Sequence, residues 1–238
     1  MQASDLEKRT EKLAQWMLEA SHLVVFTGAG ISTESRLSDF RGPDGLWTRQ
    51  ARGFPLPKFD WSSTKPNQAQ IAIVELQNMG KLGFLISQNV DNLHLKSGIR
   101  PDLLAELHGN VTKLRCRGCG FKCDSFPDLV TCPICGGRLA SSVVNFGDRL
   151  PEEELEEAEW YSRHCDLFVV VGSSLLVYPA ADMPRIALFG AYIGLIEFRE
   201  ICSLELLHKI GILAVVYALE FGIFYGCKAY FTHYRSSA

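Results

Sequence analysis

Short β-branched and aromatic runs alternate along most of the chain with longer stretches whose apolar positions recur at helical spacing. Leu6, Leu13, Trp16, Met17 and Ala20 share one face, and Ser4 with Glu7 forms a capping-box pattern ahead of them, so a helix is predicted over Ser4 to Ala20. His22 to Phe26 reads as a strand that stops at Thr27-Gly28-Ala29-Gly30. A second helix is predicted over Pro66 to Met79, with proline near its start, Ile71 and Val74 facing inward and Gly80 ending it. Strands follow at Gly83 to Ser87, Val111 to Arg115 and Ser142 to Phe146, and Leu103 to Leu107 is a short apolar segment. Pro151 leads an acidic helix, Glu152 to Arg163, with Leu155, Ala158 and Tyr161 or Ser162 inward. Its run Glu152-Glu153-Glu154 suits the first turn of a helix and is expected to have no partner. Leu167 to Val171 is apolar throughout, as in a parallel sheet covered on both faces. Pro179 to Leu188 continues as a helix and Tyr192 to Ile196 as a strand.

Strands separated by helices predict an α/β fold whose parallel strands end along one edge. Four polar or glycine turns each follow a strand, at Thr27, Gln88, Gly147 and Gly172, and would line a single crevice. Gly28-Ala29-Gly30 has the form of a phosphate-binding turn, with a helix behind it pointing its positive end at the charge. Arg36 to Asp60 is rich in glycine and proline and reads as a long loop, of a kind that often covers a site. Within it Asp39 and Arg41 could hold ribose hydroxyls and phosphate oxygens. Gln88-Asn89-Val90-Asp91 is a polar cluster at a strand end, and His108 sits at a Gly-Asn turn, exposed and with a pKa suited to a general base. Each signal alone also fits a structural role: a tight turn, surface charge, an Asx-rich cap, a structural histidine. Decorative turns would have no reason to share one edge, and that coincidence argues for a nucleotide site.

Two pairs, Cys116-x-x-Cys119 and Cys132-x-x-Cys135, are each followed by glycine. Four thiolates at this spacing clamp one tetrahedral zinc ion and leave it no open position, so the metal is expected to be structural. Cys123 is read as a bystander. Cysteines in this arrangement indicate a reducing compartment rather than a disulfide framework. With 238 residues and a formal charge of −3, the chain suits one α/β domain with a small insertion and carries no electrostatic footprint for nucleic acid. The charged start, Met1 to Arg9, has no apolar stretch and predicts no secretory signal. An intracellular, cytoplasmic protein is expected, nuclear if the source is eukaryotic.

In these stretches the chain resembles the sirtuins, NAD-dependent protein-lysine deacylases. The motifs are Gly28-Ala29-Gly30-Ile31-Ser32-Thr33, Asp39-Phe40-Arg41-Gly42-Pro43, Gln88-Asn89-Val90-Asp91, His108-Gly109-Asn110, the cysteine pairs, Val144-Asn145-Phe146-Gly147-Asp148 and Gly172-Ser173-Ser174, in the family's order. The resemblance implies a discontinuous Rossmann-like NAD-binding domain (residues 1–114 and 140–198) with an inserted zinc-binding module (115–139). NAD would be co-substrate, beside one structural zinc, and the partner an acylated-lysine protein or peptide. It implies His108 as general base, with Asn89 and Asp91 around the nicotinamide and its ribose. Dinucleotide contacts would fall to Gly28, Ala29, Gly30, Thr33, Asp39, Phe40, Arg41, Trp47 and Gln88, with Gly172, Ser173 and Ser174 by the adenosine. Val144, Phe146 and Gly147 would pair with substrate backbone. The products would be nicotinamide, O-acyl-ADP-ribose and free lysine; protein mono-ADP-ribosyl transfer at the same site and a silent NAD- or peptide-binding module are the alternatives.

Two departures stand out. Arg36-Leu37-Ser38 replaces the family's Gly-Ile-Pro, and a positive backbone angle at Arg36 would cost on the order of 1 kcal/mol. By spacing, Glu197 stands where the family has an adenosine-binding Asn. Beyond Phe198 the 199–238 tail matches nothing in the family; Ile210 to Cys227 reaches the lower limit for a membrane span, with Glu220 near its middle, so membrane contact, packing on the domain and a tail without structural meaning all stay open.

Overall fold

The computed structural model describes residues 3–126, 128–188 and 192–195, so Glu197 and the apolar tail lie outside the described residues. Two strands organise what is described. β1 (Leu23–Thr27) and β7 (Leu167–Val171) are buried at every position. They run parallel in direct register, from Leu23 opposite Leu167 to Thr27 opposite Val171. β2 (Leu82–Ser87) and β3 (Leu104–Glu106) extend the sheet on one side, and β8 (Tyr192–Leu195) on the other, giving the order β3-β2-β1-β7-β8 with every pairing parallel.

Side chains alternate across this sheet, so successive residues build two different cores. Val25, Leu85 and Val169 face α1 (Ala3–Glu19) and α3 (Gln68–Asn78), meeting Leu13, Met17, Ile73 and Leu76. Val24, Phe26, Ile86, Phe168 and Val170 face α5 (Glu152–His164) and α6 (Met183–Ala187), meeting Ala158, Met183 and Ala187. Phe26, Phe84 and Phe168 are fully buried here, each contributing about 2–3 kcal/mol through loss of exposed apolar area. Phe84 also stacks face to face on Tyr161, with ring centroids 3.9 Å apart.

A small antiparallel sheet carries the cysteines, with β4 (Lys113–Cys116) between β5 (Lys122–Asp124) and β6 (Leu139–Ser141). The α/β sheet with a separate cysteine-bearing sheet is the predicted class, with four local differences. Ser142 to Phe146 is not a strand; the chain runs on from β6 tied by single bonds, Ser142 N–H to Lys113 O (3.0 Å) and Val144 N–H to His108 O (2.9 Å). The turn at Gly147 therefore follows no parallel strand, and β3, with His108 just beyond it, takes that place on the edge. Residues 36–60 are not structureless: α2 (Leu46–Ala51) forms because Asp39 collects the chain, its carboxylate accepting Gly42 N–H and its carbonyl Leu46 N–H. The helix after the first glycine turn is a 3-10 helix of seven residues, Ala29–Ser35, with little dipole to offer. In α3 the Asn67–Gln70 capping box sets the phase so that Gln70 is buried and Ile71 stays 38% exposed.

Where β1 and β7 end, their turns touch backbone to backbone. Gly172 sits at φ +63°, and a Cβ there would lie 2.1 Å from Ile31 N. Gly172→Ala should lower stability by about 3 kcal/mol or more, since both the angle and the contact forbid a side chain. The urea midpoint measures it, and a loss under about 1 kcal/mol would mean that the two turns separate at little cost.

Candidate active site and metal centre

The strand ends are stitched to one another. Gly28 N–H donates to Val171 O (3.0 Å), Gly30 N–H to Gly172 O (2.8 Å), Gln88 N–H to Thr27 O (3.0 Å) and Leu107 N–H to Ser87 O (2.9 Å). A Cβ on Gly28 or Gly30 would stand 2.8 Å from Gly172 O, so these glycines are required by the packing of one turn on another. The result is one continuous edge carrying residues 27–33, 88–91, 108–110 and 172–174.

Asp91 anchors its polar centre. Ser32 Oγ donates to Asp91 Oδ2 at 2.6 Å and Asn89 Nδ2 donates to the same oxygen at 3.1 Å, while Asp91 Oδ1 accepts Leu93 N–H at the start of α4 (Leu93–Ser97). Gln70 Nε2 reaches Ser32 Oγ from α3. All four polar residues are buried, and the amide donors keep the carboxylate compensated. Asn89 Oδ1 is left buried with no partner among the described residues. A buried acceptor at a strand-end crevice is suited to a ligand hydroxyl or amide, which the ribose and nicotinamide of NAD both offer. Behind this layer, His94 Nε2 lies 2.9 Å from Thr27 Oγ1, and burial pulls that imidazole down to about 4, so it is neutral.

His108 is half-buried, with Nδ1 2.9 Å from Gln88 O. A carbonyl only accepts, so Nδ1 carries the proton and Nε2 keeps the lone pair. Burial lowers its pKa, with the Gln88 bond opposing in part. Asn110, fully buried, holds the turn. Its side chain donates to Glu106 Oε1 (2.6 Å) and Asn92 Oδ1 (2.9 Å), and its backbone exchanges bonds with Ser142 Oγ. Gly109 at φ +76° passes so close to Ser142 that a Cβ would overlap its carbonyl oxygen.

The remaining predicted residues fall in two groups. Arg41 spans the edge, donating to Ser174 Oγ (3.1 Å) and lying over the Trp47 ring at 4.2 Å. Trp47 in turn contacts Phe40 (5.2 Å) and Phe146 (5.7 Å), so an aromatic row joins the 39–47 segment to the 144–147 segment. Gln88 Nε2 reaches Ser173 Oγ at 3.4 Å. Asp39, by contrast, is turned onto its own loop, and Thr33 Oγ1 bonds Gly30 O. Val144 is half-buried, and Phe146 is 73% exposed. The motifs contain Ser32 and Asn110 but assign them no role, and Gln70 lies outside every motif; a glutamine on an otherwise apolar helix face is the visible signal for it.

The four cysteine sulfurs lie within 4.8 Å of one another, with Cys116 and Cys135 at 3.4 Å and Cys119 and Cys132 at 3.6 Å. Tetrahedral thiolates around zinc are separated by roughly these distances. Gly137 packs so tightly on the sulfurs of Cys116 and Cys135 that a Cβ would stand 3.2 Å from each. The donor set fits zinc and leaves no position for substrate.

Fold and site together define an α/β protein with a polar crevice along its strand ends beside a four-cysteine metal centre. The model of the Sir2 family matches residues 54–179. The chain is 38% identical to NAD-dependent protein deacetylase 1 of Bradyrhizobium diazoefficiens, over 88% of this chain and 95% of that protein. It is 40% identical to NAD-dependent protein deacylase 2 of Archaeoglobus fulgidus, over 76% of this chain and 81% of that one. Among solved structures it resembles a Sir2–p53 peptide–NAD+ complex with TM-score 0.60 at 30% identity, over 84% of this chain and 95% of that one. The chain belongs to the Sir2 family, the sirtuins.

Two outcomes follow from this geometry. The purified chain should hold one zinc ion, and a strong chelator should unfold the β4–β6 region while the parallel sheet persists; a metal-free chain of unchanged stability would contradict the metal centre. Arg36, exposed and at φ 63°, occupies the left-handed region. Arg36→Gly should therefore stabilise the fold by about 0.5–1 kcal/mol in urea unfolding, and a destabilised variant would show that the arginine side chain contributes more than the strain costs.

Proposed function

We propose that NAD lies along the strand-end edge and that His108 is the general base of an NAD-dependent protein-lysine deacylase. The observation carrying this reading is the pairing of a fixed tautomer with a vacant acceptor: His108 presents Nε2, and Asn89 Oδ1 is buried without a partner on the same edge.

NAD supplies a ribose carbon bonded to cationic nicotinamide, a good leaving group. The acyl-lysine amide oxygen attacks that carbon as nicotinamide departs. His108 Nε2 takes a proton from a ribose hydroxyl, which attacks the acyl carbon, and water completes the release of free lysine and O-acyl-ADP-ribose. Asn89 and Asp91 hold the nicotinamide end. Gly28, Ala29, Gly30, Thr33, Gln88 and Arg41 line the pyrophosphate path, with Asp39, Phe40 and Trp47 shaping the loop over it. Gly172, Ser173 and Ser174 take the adenosine. Val144, Phe146 and Gly147 receive the peptide, whose extended backbone can pair with this segment because no strand among the described residues does. The cysteines Cys116, Cys119, Cys132 and Cys135 keep zinc apart from the chemistry.

An acetylated peptide assayed with and without NAD tests this. His108→Ala should lower kcat/KM for deacylation by about 10²–10⁴ while NAD binding persists. The neutral imidazole is the active form and its pKa is lowered by burial, so activity should rise with pH through a midpoint below 6.5 and fall beneath it. Nicotinamide release indifferent to peptide and to His108, or label from NAD retained on the peptide, would reject deacylation.

A further inference from the structure

Glu154 does not fit its place in an acidic run. It sits in the first turn of α5 yet is only 3% exposed. Its carboxylate meets two cations, both from the cysteine-bearing sheet. Arg115 Nη2, on β4, is 2.6 Å from Oε2, and Lys122 Nζ, on β5, contacts Oε1. Glu152 and Glu153 beside it are exposed, so the expectation that the run has no partner holds for neither its burial nor its bonds at this third position. A carboxylate is kept from water only where its charge is met, and removing one member of such a group strands the others. Arg115 Nε is already buried with no partner among the described residues, so its guanidinium has little to gain by staying once Glu154 is neutral.

One carboxylate therefore ties a helix covering the parallel sheet to two strands of the small sheet. Residues 142–151 connect β6 to α5, and they contain the proposed peptide-pairing segment. That connector hangs from both sides: Ser142 N–H bonds Lys113 O on β4, two residues from Arg115, and Val144 N–H bonds the carbonyl of His108. A rotation of the small sheet about α5 would pull, through Lys113 and Ser142, on the bonds that hold residues 142–144 to the 108–110 turn, where Ser142 Oγ bonds the Asn110 backbone and Val144 N–H bonds His108 O. The Asp91 centre meets the chain leading into β4 through Val111 N–H to Val90 O (2.9 Å), while its own bonds to Ser32 and Asn89, and those of the glycine turns, lie within the parallel-sheet layer and are expected to hold.

We propose that Glu154 is a positioning residue that fixes the 144–147 backbone against His108 and so sets affinity for the acylated peptide. Its activity arm rests on the deacylase reading; its second arm does not. Glu154→Gln keeps the shape and removes the charge, and Lys122→Met leaves the Arg115–Glu154 pair in place as a milder change. Expected for Glu154→Gln is about a tenfold rise in KM for an acetyl-lysine peptide, with kcat and the Kd for NAD within twofold; for Lys122→Met, a two- to threefold rise. Independently of turnover, amide hydrogen exchange should accelerate at Val144 to Gly147 in both variants and stay unchanged in β1, with zinc content retained. Unchanged exchange at Val144 to Gly147 in both variants overturns the proposal whether or not the wild type deacylates. Equal losses in kcat, NAD affinity and peptide KM also overturn it, because they mark general destabilisation. If Glu154→Gln does not fold, Lys122→Met decides by the same exchange criterion. A wild type without turnover, combined with faster exchange in the variants, would reject deacylation and keep the positioning role.

Discussion

The contact of two glycine turns, backbone against backbone, is the constraint from which the rest of the structure follows. Gly28 and Gly30 donate their N–H groups to Val171 and Gly172, at a separation no Cβ could share. β1 and β7 are thereby locked in register at their carboxyl ends, and the sheet edge becomes a smooth platform rather than a row of independent loops. Ser87, Gln88 and Leu107 extend it by the same kind of bond to β2 and β3. A dinucleotide long enough to touch 27–33, 88–91 and 172–174 needs such a platform, because groups that must meet one ligand cannot move separately.

On this platform the polar groups are nearly all spent on one another, and the few left over are where chemistry belongs. Asp91 is satisfied by Ser32, Asn89 and Leu93. His94 is held neutral behind it. What remains facing the crevice is a buried amide oxygen on Asn89 and the lone pair of His108, with His94 Nδ1 unpartnered among the described residues in the layer behind. The cost of leaving an acceptor unmet in the folded chain, about 1–3 kcal/mol for a neutral group, is recovered when a ligand donates to it. On the proposed reading, a sugar stands between those two crevice-facing atoms in the bound state.

Periodicity and turn chemistry made much of this legible in the chain itself. The all-apolar Leu167–Val171, the glycine turns and the paired cysteines each signal local physics, and local physics decided them. The errors arose where distant contacts override local pattern. Gln70 is drawn into α3's buried face by Ser32, displacing Ile71 to the surface. Glu154 is buried because Arg115 and Lys122 arrive from strands far away in sequence. Ser142 to Phe146 has strand composition but pairs as a strand with no described element, being held by single bonds to Lys113 and His108. The positive φ at Arg36 was readable only because a glycine was expected there; an arginine by itself carries no such signal.

The central claim is that one edge receives the whole dinucleotide, with its reacting sugar between Asn89 and His108. A crystal structure with ADP-ribose tests it most directly. The account predicts the pyrophosphate over residues 28–33 and 172–174, and a ribose hydroxyl within hydrogen-bond reach of His108 Nε2. A ribose on the opposite face of the sheet, or one with no contact to either Asn89 or His108, would contradict it.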